Sequence, residues 1–294
     1  MDDRAWAAAS DACAAAVAGM GLPPRLPVSS PSPDAEPGED RGAEVAAGGT
    51  GTIRVGVGGW TFEPWRGTFY PKGLPHKREL EYASRALTSI EINGTYYSSF
   101  KPETWAQWRD ATPEGFVFAV KASRFCTNRR VLAQAGESVG RFVNQGLAVL
   151  GDRLGPINWQ FMATKAFDPA DMAAFLALLP RSVGGVALRH ALEVRHASFA
   201  DRRFFDLCRR HNAAIVHADS DEFPRIDEPT ADFTYARLMG TSAKLARGYG
   251  PAALAGWARQ AKAWSRRGDV FVYVIAGAKA RNPAAARALI RKLG

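Results

Sequence analysis

Two glutamates stand inside apolar, strand-like stretches of this chain, and simple packing does not explain either. Glu91 lies in SIEINGTYYSSF, residues 89–100, and Glu193 in HALEVRH, residues 190–196. In both stretches side chains alternate with period two, the period at which successive residues leave a strand on opposite faces. A carboxylate on such a strand must meet a cation, a metal or a ligand, because an isolated buried charge is too costly to keep. The pattern recurs. Lys121 ends GFVFAVKAS, Arg195 follows Glu193 by two, His217 and Asp219 alternate in AAIVHADSD, and Tyr235 and Arg237 alternate in FTYARLMG. Glu91 and Glu193 have the residue types for paired acid and base catalysis, with burial raising one carboxyl's pKa. Lys121 and Asp219 complete the catalytic candidates. Lys121, Arg195 and Arg237 would neutralise negative charge on a ligand or in a transition state. The same residues also make a complete alternative. Glu–Arg and Glu–Lys pairs can form an internal salt-bridge layer that needs no substrate, since buried charges must be paired in any case.

Glu91, Glu193, His217 and Asp219 carry the donor types for a single divalent cation, magnesium or manganese. The chain has five histidines. His76, His190 and His211 are expected outside the site, which argues against a zinc cluster. His217 has the ordinary alternative of a satisfied core group.

The elements that would position these residues alternate between strand and helix from Ile53 onward. Strands are expected at 53–58, 88–93, 116–121, 157–161, 186–195, 213–218, 233–238 and 270–275. Helices are expected at 77–87, 102–110, 138–150, 201–211, 251–266 and from Asn282, with a further one capped by Asp168 with Pro169 just inside. Eight strands, each followed by a crossover, predict an α/β fold, a (β/α)₈ TIM-type barrel of about 240 residues. A doubly wound sheet is the alternative. It would want a Gly-rich turn opening a helix after the first strand, and GVGGW has neither that spacing nor that helix. In a barrel of this type the working groups sit at the C-terminal strand ends. That places Glu91, Asn93, Lys121, Gln160, Glu193, Arg195, His196, Asp219 and Arg237 around one mouth.

Two loops join them. GWTFEPWRGTFYPKGLPH follows the first strand, and Trp60 in it is a candidate to stack a sugar or a base. Phe62 and Phe69 read instead as a hydrophobic plug. AGAKARNP follows the eighth strand. There Lys279 brings charge and Asn282–Pro283 opens a helix whose free N–H groups attract anions; a basic helix cap is the plain alternative.

Composition bounds the rest. The chain has 294 residues, 47% hydrophobic and 23% charged, ordinary for a globular protein. Residues 1–51 hold eight acids and three bases, so of the net +9 the remainder carries +14. A body that basic favours an anionic small molecule or nucleic acid as partner, or is simply a solvated surface. Residues 1–20 are Ala-rich. Residues 21–51 are dense in Pro, Gly, Ser and acids, and 1–51 is expected to be a disordered N-terminal extension. Cys13, Cys126 and Cys208 are scattered and odd in number, which fits neither a disulfide framework nor a zinc site, so a cytoplasmic location is expected. No apolar run is long enough to span a bilayer, the opening residues lack the basic region of a secretory signal, and no protein partner is evident.

Five segments in order, VGVGGWTFEPWRGTFYP, SIEINGTYYS, TPEGFVFAVKASRFCTN, LEVRHASF and FTYARLMG, resemble the successive signatures of the YecE-like family, domain of unknown function number seventy-two. The resemblance covers roughly Ile53 to Gly294. It implies a barrel of this type with a polar site and no settled activity. Three positions depart from the family pattern. Asn128 stands where the family usually has His, Met239 stands where it has Leu-His-Gly's His, and AGAKARN replaces an ending in Asn and Asp. Two functions from different classes remain. One is an enzyme, a hydrolase or lyase, acting on a phosphate-bearing ligand such as a nucleic acid or sugar phosphate by acid–base chemistry from Glu193 and Glu91. The other is a non-catalytic binder of an anionic ligand or polynucleotide.

Overall fold

A computed structural model describes residues 50–294, so the expectations for the N-terminal extension fall almost wholly outside the described residues. Nine parallel strand segments form one sheet: β1 (Ile53–Gly58), β2 (Ser89–Ile92), β3 (Val117–Lys121), β4 (Leu154–Gln160), β5 (His190–Glu193), β6 (Ala213–Ile215), β7 (His217–Asp219), β8 (Phe233–Leu238) and β9 (Asp269–Val274). Their order is β6-β5-β4-β3-β2-β1-β9-β8-β7. The two ends of that order, β6 and β7, are consecutive pieces of one strand interrupted at Val216. The lower piece pairs with β5 and the upper with β8, so the sheet curls into a nearly closed parallel barrel.

Helices cover the outside: α1 (Glu79–Ala86), α2 (Pro102–Asp110), α3 (Gly136–Val143), α4 (Pro169–Leu178), α5 (Arg202–Arg210), α6 (Pro251–Ser265) and α7 (Asn282–Leu293). Their starts follow local chemistry. Pro102, Pro169 and Pro251 occupy the first turn, where a missing N–H costs nothing. Asp168 and Asp201 accept backbone N–H groups at the N-caps of α4 and α5. Among the described residues no helix is long and apolar enough to cross a membrane.

Two expected elements are shorter in the structure. The helix over 138–150 ends at Val143, where the Asn144 side chain donates to the Gly140 carbonyl at 2.8 Å, and the chain continues as 3-10 turns. The strand over 186–195 divides. Val186–Ala187 folds back antiparallel on Ser182–Val183, and only His190–Glu193 enters the barrel. Gly184 and Gly185, with φ of +53° and +79°, make the two-residue hairpin turn that diverts it.

The main core lies between the sheet and its helices, and Trp65, Trp105 and Trp159 are fully buried there. A smaller one fills the barrel. Phe233, Tyr235, Phe271 and Tyr273 project from β8 and β9 into the same cluster as Val117, Ala119, Ala191 and Ala214 of β3, β5 and β6, so large side chains meet small ones. At the N-terminal end Arg189 bonds Asp269 at 2.9 Å and lies over the Phe271 ring at 4.8 Å, closing the bottom.

Candidate functional site

The top interior layer is ionic. Arg237, the third inward residue of β8 after Phe233 and Tyr235, reaches across the barrel axis. Its Nη1 donates to Glu193 Oε2 at 2.5 Å and its Nη2 to Glu91 Oε1 at 3.0 Å. Asn158 on β4 bridges the same carboxylates, with Nδ2 at 3.1 Å from Glu193 and 3.4 Å from Glu91. The Tyr235 hydroxyl donates to Glu91 from below. Arg195 closes the other side of Glu193, giving Nε at 3.0 Å and Nη2 at 2.7 Å to Oε1.

Period two explains the convergence. Glu91, Glu193 and Arg237 share the inward parity of strands whose alternate residues, such as Ile90, Leu192 and Ala236, pack outward against helices. Both glutamates and Arg237 are almost wholly buried. Burial alone would raise the Glu193 pKa. The Arg237 charge, then Arg195 and the Asn158 bond, outweigh it and hold the carboxyl at about 2, so it is ionised. Burial would likewise lower the Arg237 pKa, but Glu193 and Glu91 hold it above its ordinary value. Burial first and the Glu91 charge second push the Tyr235 hydroxyl well up, so it keeps its proton.

Above this layer lies a cleft of about 630 Å³ lined by Trp60, Asn93, Trp108, Lys121, Arg237 and Lys279, among others. Three of its lining side chains are cationic and none is a carboxylate. Lys121 ends β3, where its carbonyl accepts from Thr95 Oγ1 at 2.6 Å. Its Nζ lies 4.4 Å from the centre of the Tyr96 ring. Burial, then repulsion from Arg237, lowers its pKa to about 8 against the pull of Glu91 and Glu193. Lys279 lies over Phe62 at 4.2 Å, and its carbonyl accepts from Trp65 Nε1 at 2.9 Å. The Trp60 ring meets Trp108 edge-on, with centroids 5.2 Å apart. Asn93 donates to the Glu91 carbonyl at 3.3 Å.

The loop that carries Lys279 is held in an unusual path. Ala276 has φ +62° and Gly277 φ +53°. A Cβ on Gly277 would sit 2.6 Å from the Met239 carbonyl oxygen, so the loop after β9 lies hard against the loop after β8. Asn282, buried at the start of α7, donates to the Ala276 carbonyl at 3.1 Å and accepts from Thr241 at 2.8 Å.

The remaining sequence candidates lie apart from the cleft lining. Gln160 touches the ionic layer, its Oε1 3.5 Å from Arg237 Nη1. Arg195 lies over the Phe223 ring at 4.4 Å. His196 Nδ1 makes a 2.8 Å bond with Ser198 Oγ and caps the turn Ala197–Phe199. Asp219 accepts from Arg225 and, at 3.3 Å, from the Tyr249 hydroxyl, in loops beside the mouth. His217, two residues earlier on the same face of the strand, packs between Trp257 and Trp264 with centroids 6.0 and 5.0 Å away.

The reason is parity. Ala214 and Val216 belong to the barrel's inner cluster, so His217 and Asp219 leave on the other face. The four side chains weighed for a divalent cation are therefore not brought together. Among the described residues no group of three or more His, Cys, Asp or Glu side chains is arranged to hold a metal ion. Sequence reasoning missed Asn158 as the bridge and Trp108 as the partner of Trp60. Asn158 had a signal, since it precedes Gln160 by two within a buried strand. Trp108 sits near the end of a helix, and nothing local marks it.

Comparison with known proteins agrees with the fold and the signature segments. UPF0759 protein YecE of Escherichia coli K12 is 27% identical over 147 residues, half of this chain and half of that protein. The chain thus aligns with about half the length of the curated relatives it matches. The crystal structure of a DUF72 family protein from Thermotoga maritima superposes with a TM-score of 0.67 at 25% identity, covering 82% of this chain and 98% of that one. A DUF72 family protein from Enterococcus faecalis superposes at 0.63 with 18% identity, covering 82% and 95%, which speaks for the fold alone. The family model described as protein of unknown function DUF72 matches residues 54–294, and the chain belongs to that family.

Proposed function

We propose that the barrel mouth binds a phosphate-bearing organic ligand, a sugar phosphate or a nucleotide unit of a nucleic acid, and acts on it by acid–base chemistry. One observation carries the reading: the cleft is lined by Lys121, Arg237 and Lys279 with no carboxylate among them. Preorganised cations in a recessed site are the means by which proteins hold phosphate and stabilise charge on it. The aromatic wall of Trp60, Tyr97, Phe100 and Trp108 supplies an apolar surface for the rest of the ligand. Glu91 and Glu193 belong to the same machinery as the carboxylates that aim Arg237. The proton-transferring group at the cleft surface is Lys121, whose pKa near 8 suits exchange near neutral pH.

A second reading, a binder without chemistry, is favoured by a specific observation. Every oxygen of Glu91 and Glu193 already accepts from Arg237, Arg195, Asn158 or Tyr235. Neither carboxylate is free to take a proton from a ligand.

Inorganic phosphate should raise the melting temperature of the protein by mass action on the native state. Lys279→Ala should remove most of that protection without unfolding the protein. Arg237 is a poor test, because its loss would strand two buried carboxylates. Protection that survives Lys279→Ala combined with Lys121→Met would place the anion elsewhere. Turnover of phosphate esters separates the readings: a steep salt dependence of binding with no product selects the binder.

A further inference from the structure

We propose that Lys121 is an amine nucleophile that forms an imine with the carbonyl carbon of a phosphate-bearing aldehyde or ketone bound in the cleft. The inference rests on the anion-binding reading for its ligand class and adds the reacting group.

The geometry isolates this amine. Arg237 and Arg195 take the two carboxylates of the ionic layer. Among the described residues Lys121 forms no ion pair and no side-chain hydrogen bond; its Nζ rests on the Tyr96 ring and feels Glu91 and Glu193 only at longer range. The backbone beneath it is fixed by strand pairing with β2 and β4 and by the Thr95 bond to its carbonyl. A lysine kept only for structure would be expected to pair with Glu91 or Glu193, which lie in the ionic layer beneath it. Lys165, by contrast, is paired with Asp171 at 2.6 Å. The amine of Lys121 is thus recessed, exposed to the cleft, held on a rigid strand end and free of partners, as an attacking amine must be.

Its acidity agrees. With a pKa near 8 in place of 10.5, about a quarter of the amine is neutral at roughly pH 7.5, against about one part in a thousand for an ordinary lysine.

The step balances without an oxidant or metal. The neutral Nζ attacks the carbonyl carbon, a C–N bond forms, and the carbonyl π pair takes a proton to give a carbinolamine. The proton taken up by that oxygen comes from the ammonium formed on Nζ; a second proton, from solvent, carries the hydroxyl off as water and leaves a protonated imine. Hydride from borohydride then adds to the imine carbon and fixes the link as a secondary amine.

The test uses the full chain with glycolaldehyde phosphate and cyanoborohydride near neutral pH, followed by peptide mapping of the adduct. Lys121 should be labelled faster than the exposed Lys72 and Lys101 by a factor on the order of a hundred. Lys121→Met should lose the adduct and keep its melting temperature or gain a few degrees, since a desolvated charge is removed. Labelling of Lys121 no faster than that of Lys101 overturns the proposal. The anion reading fails separately. If unphosphorylated glycolaldehyde labels Lys121 equally well and inorganic phosphate neither competes nor protects against heat, the amine stands and the phosphate site does not. If phosphate protects through Lys279 while Lys121 stays unlabelled, the phosphate site stands and the amine does not.

Discussion

Glu193→Gln tests the ionic layer most directly. The substitution keeps the size of the side chain and removes its charge. In the wild type Oε1 accepts two bonds from Arg195, and Oε2 accepts from Arg237 and Asn158. A glutamine offers only one oxygen, so its NH₂ must face one of these donor sets. The guanidinium left there stays buried with too few acceptors. Breaking a buried pair in this way costs roughly 3–5 kcal/mol. Linkage gives a similar figure: a carboxyl moved from 4.5 to about 2 contributes roughly 3 kcal/mol. The folded pKa is depressed, so this contribution is fully present above about pH 4.5 and is lost as pH falls toward 2. Near neutral pH the variant should melt roughly 6–20 °C below the wild type for a domain of this size. The gap should narrow through that acid window, because the wild type loses what the variant never had. Thermal unfolding followed by circular dichroism across pH values reads both. A loss under about 1 kcal/mol near neutral pH, or a gap that stays constant into acid, would refute the view that Glu193 is held by Arg237 and Arg195, and would restore it as a free carboxylate kept for catalysis.

Three other outcomes are expected. Tyr235→Phe removes the hydroxyl that donates to buried Glu91 and should cost roughly 1.5–3 kcal/mol by urea unfolding, with a neutral result showing that the carboxylate finds another donor. Gly277→Ala forces a side chain into a left-handed residue 2.6 Å from the Met239 carbonyl. It should cost roughly 2–4 kcal/mol and abolish phosphate protection together with Lys279 placement, so a stable variant that still binds phosphate would separate the loop from the site. Removal of residues 1–49 should leave the melting temperature nearly unchanged, as their composition suggests, and a drop of several degrees would show that they dock on the barrel.

The barrel was legible because period two survives in its strands. Glu91, Glu193, Lys121 and Arg237 each stand at a position whose sequence neighbours are apolar, so their inward direction followed from alternation alone. Alternation failed where both faces are apolar, as in AAIVHAD. A strand buried on each side carries no phase, so sequence alone does not tell that Asp219 leaves on the outward face with His217, which packs there as a core group. The strand near residue 186 was overextended for a different reason. Gly184–Gly185 makes a local hairpin that takes up Val186–Ala187, and nothing in the sequence VALRHALEV marks that the barrel strand begins only at His190. The partners in the ionic layer were beyond reach of any single segment. That Arg237 takes both glutamates depends on which strands face each other across the barrel and at what stagger, which only the closed sheet determines.

The closed layer also explains why a site rich in carboxylates presents a basic surface. Glu91 and Glu193 are balanced by Arg237 and Arg195, and all four are joined by direct hydrogen bonds. The layer as a whole adds little net charge to the cleft above it. What remains uncompensated is Lys121 and Lys279, each resting on an aromatic ring and not on an acid. Aromatic faces attract a cation without neutralising it, so both lysines keep their charge available to a ligand. Arg237 fixes the floor of the cleft, adds its charge to the burial that lowers the Lys121 pKa, and is itself held still by two carboxylates. Removing either glutamate would loosen Arg237 as much as it unmasked it. The ionic layer is thus both the structural cap of the barrel interior and the electrostatic floor of the cleft, because the residues that pair the buried charges are the ones the cleft rests on.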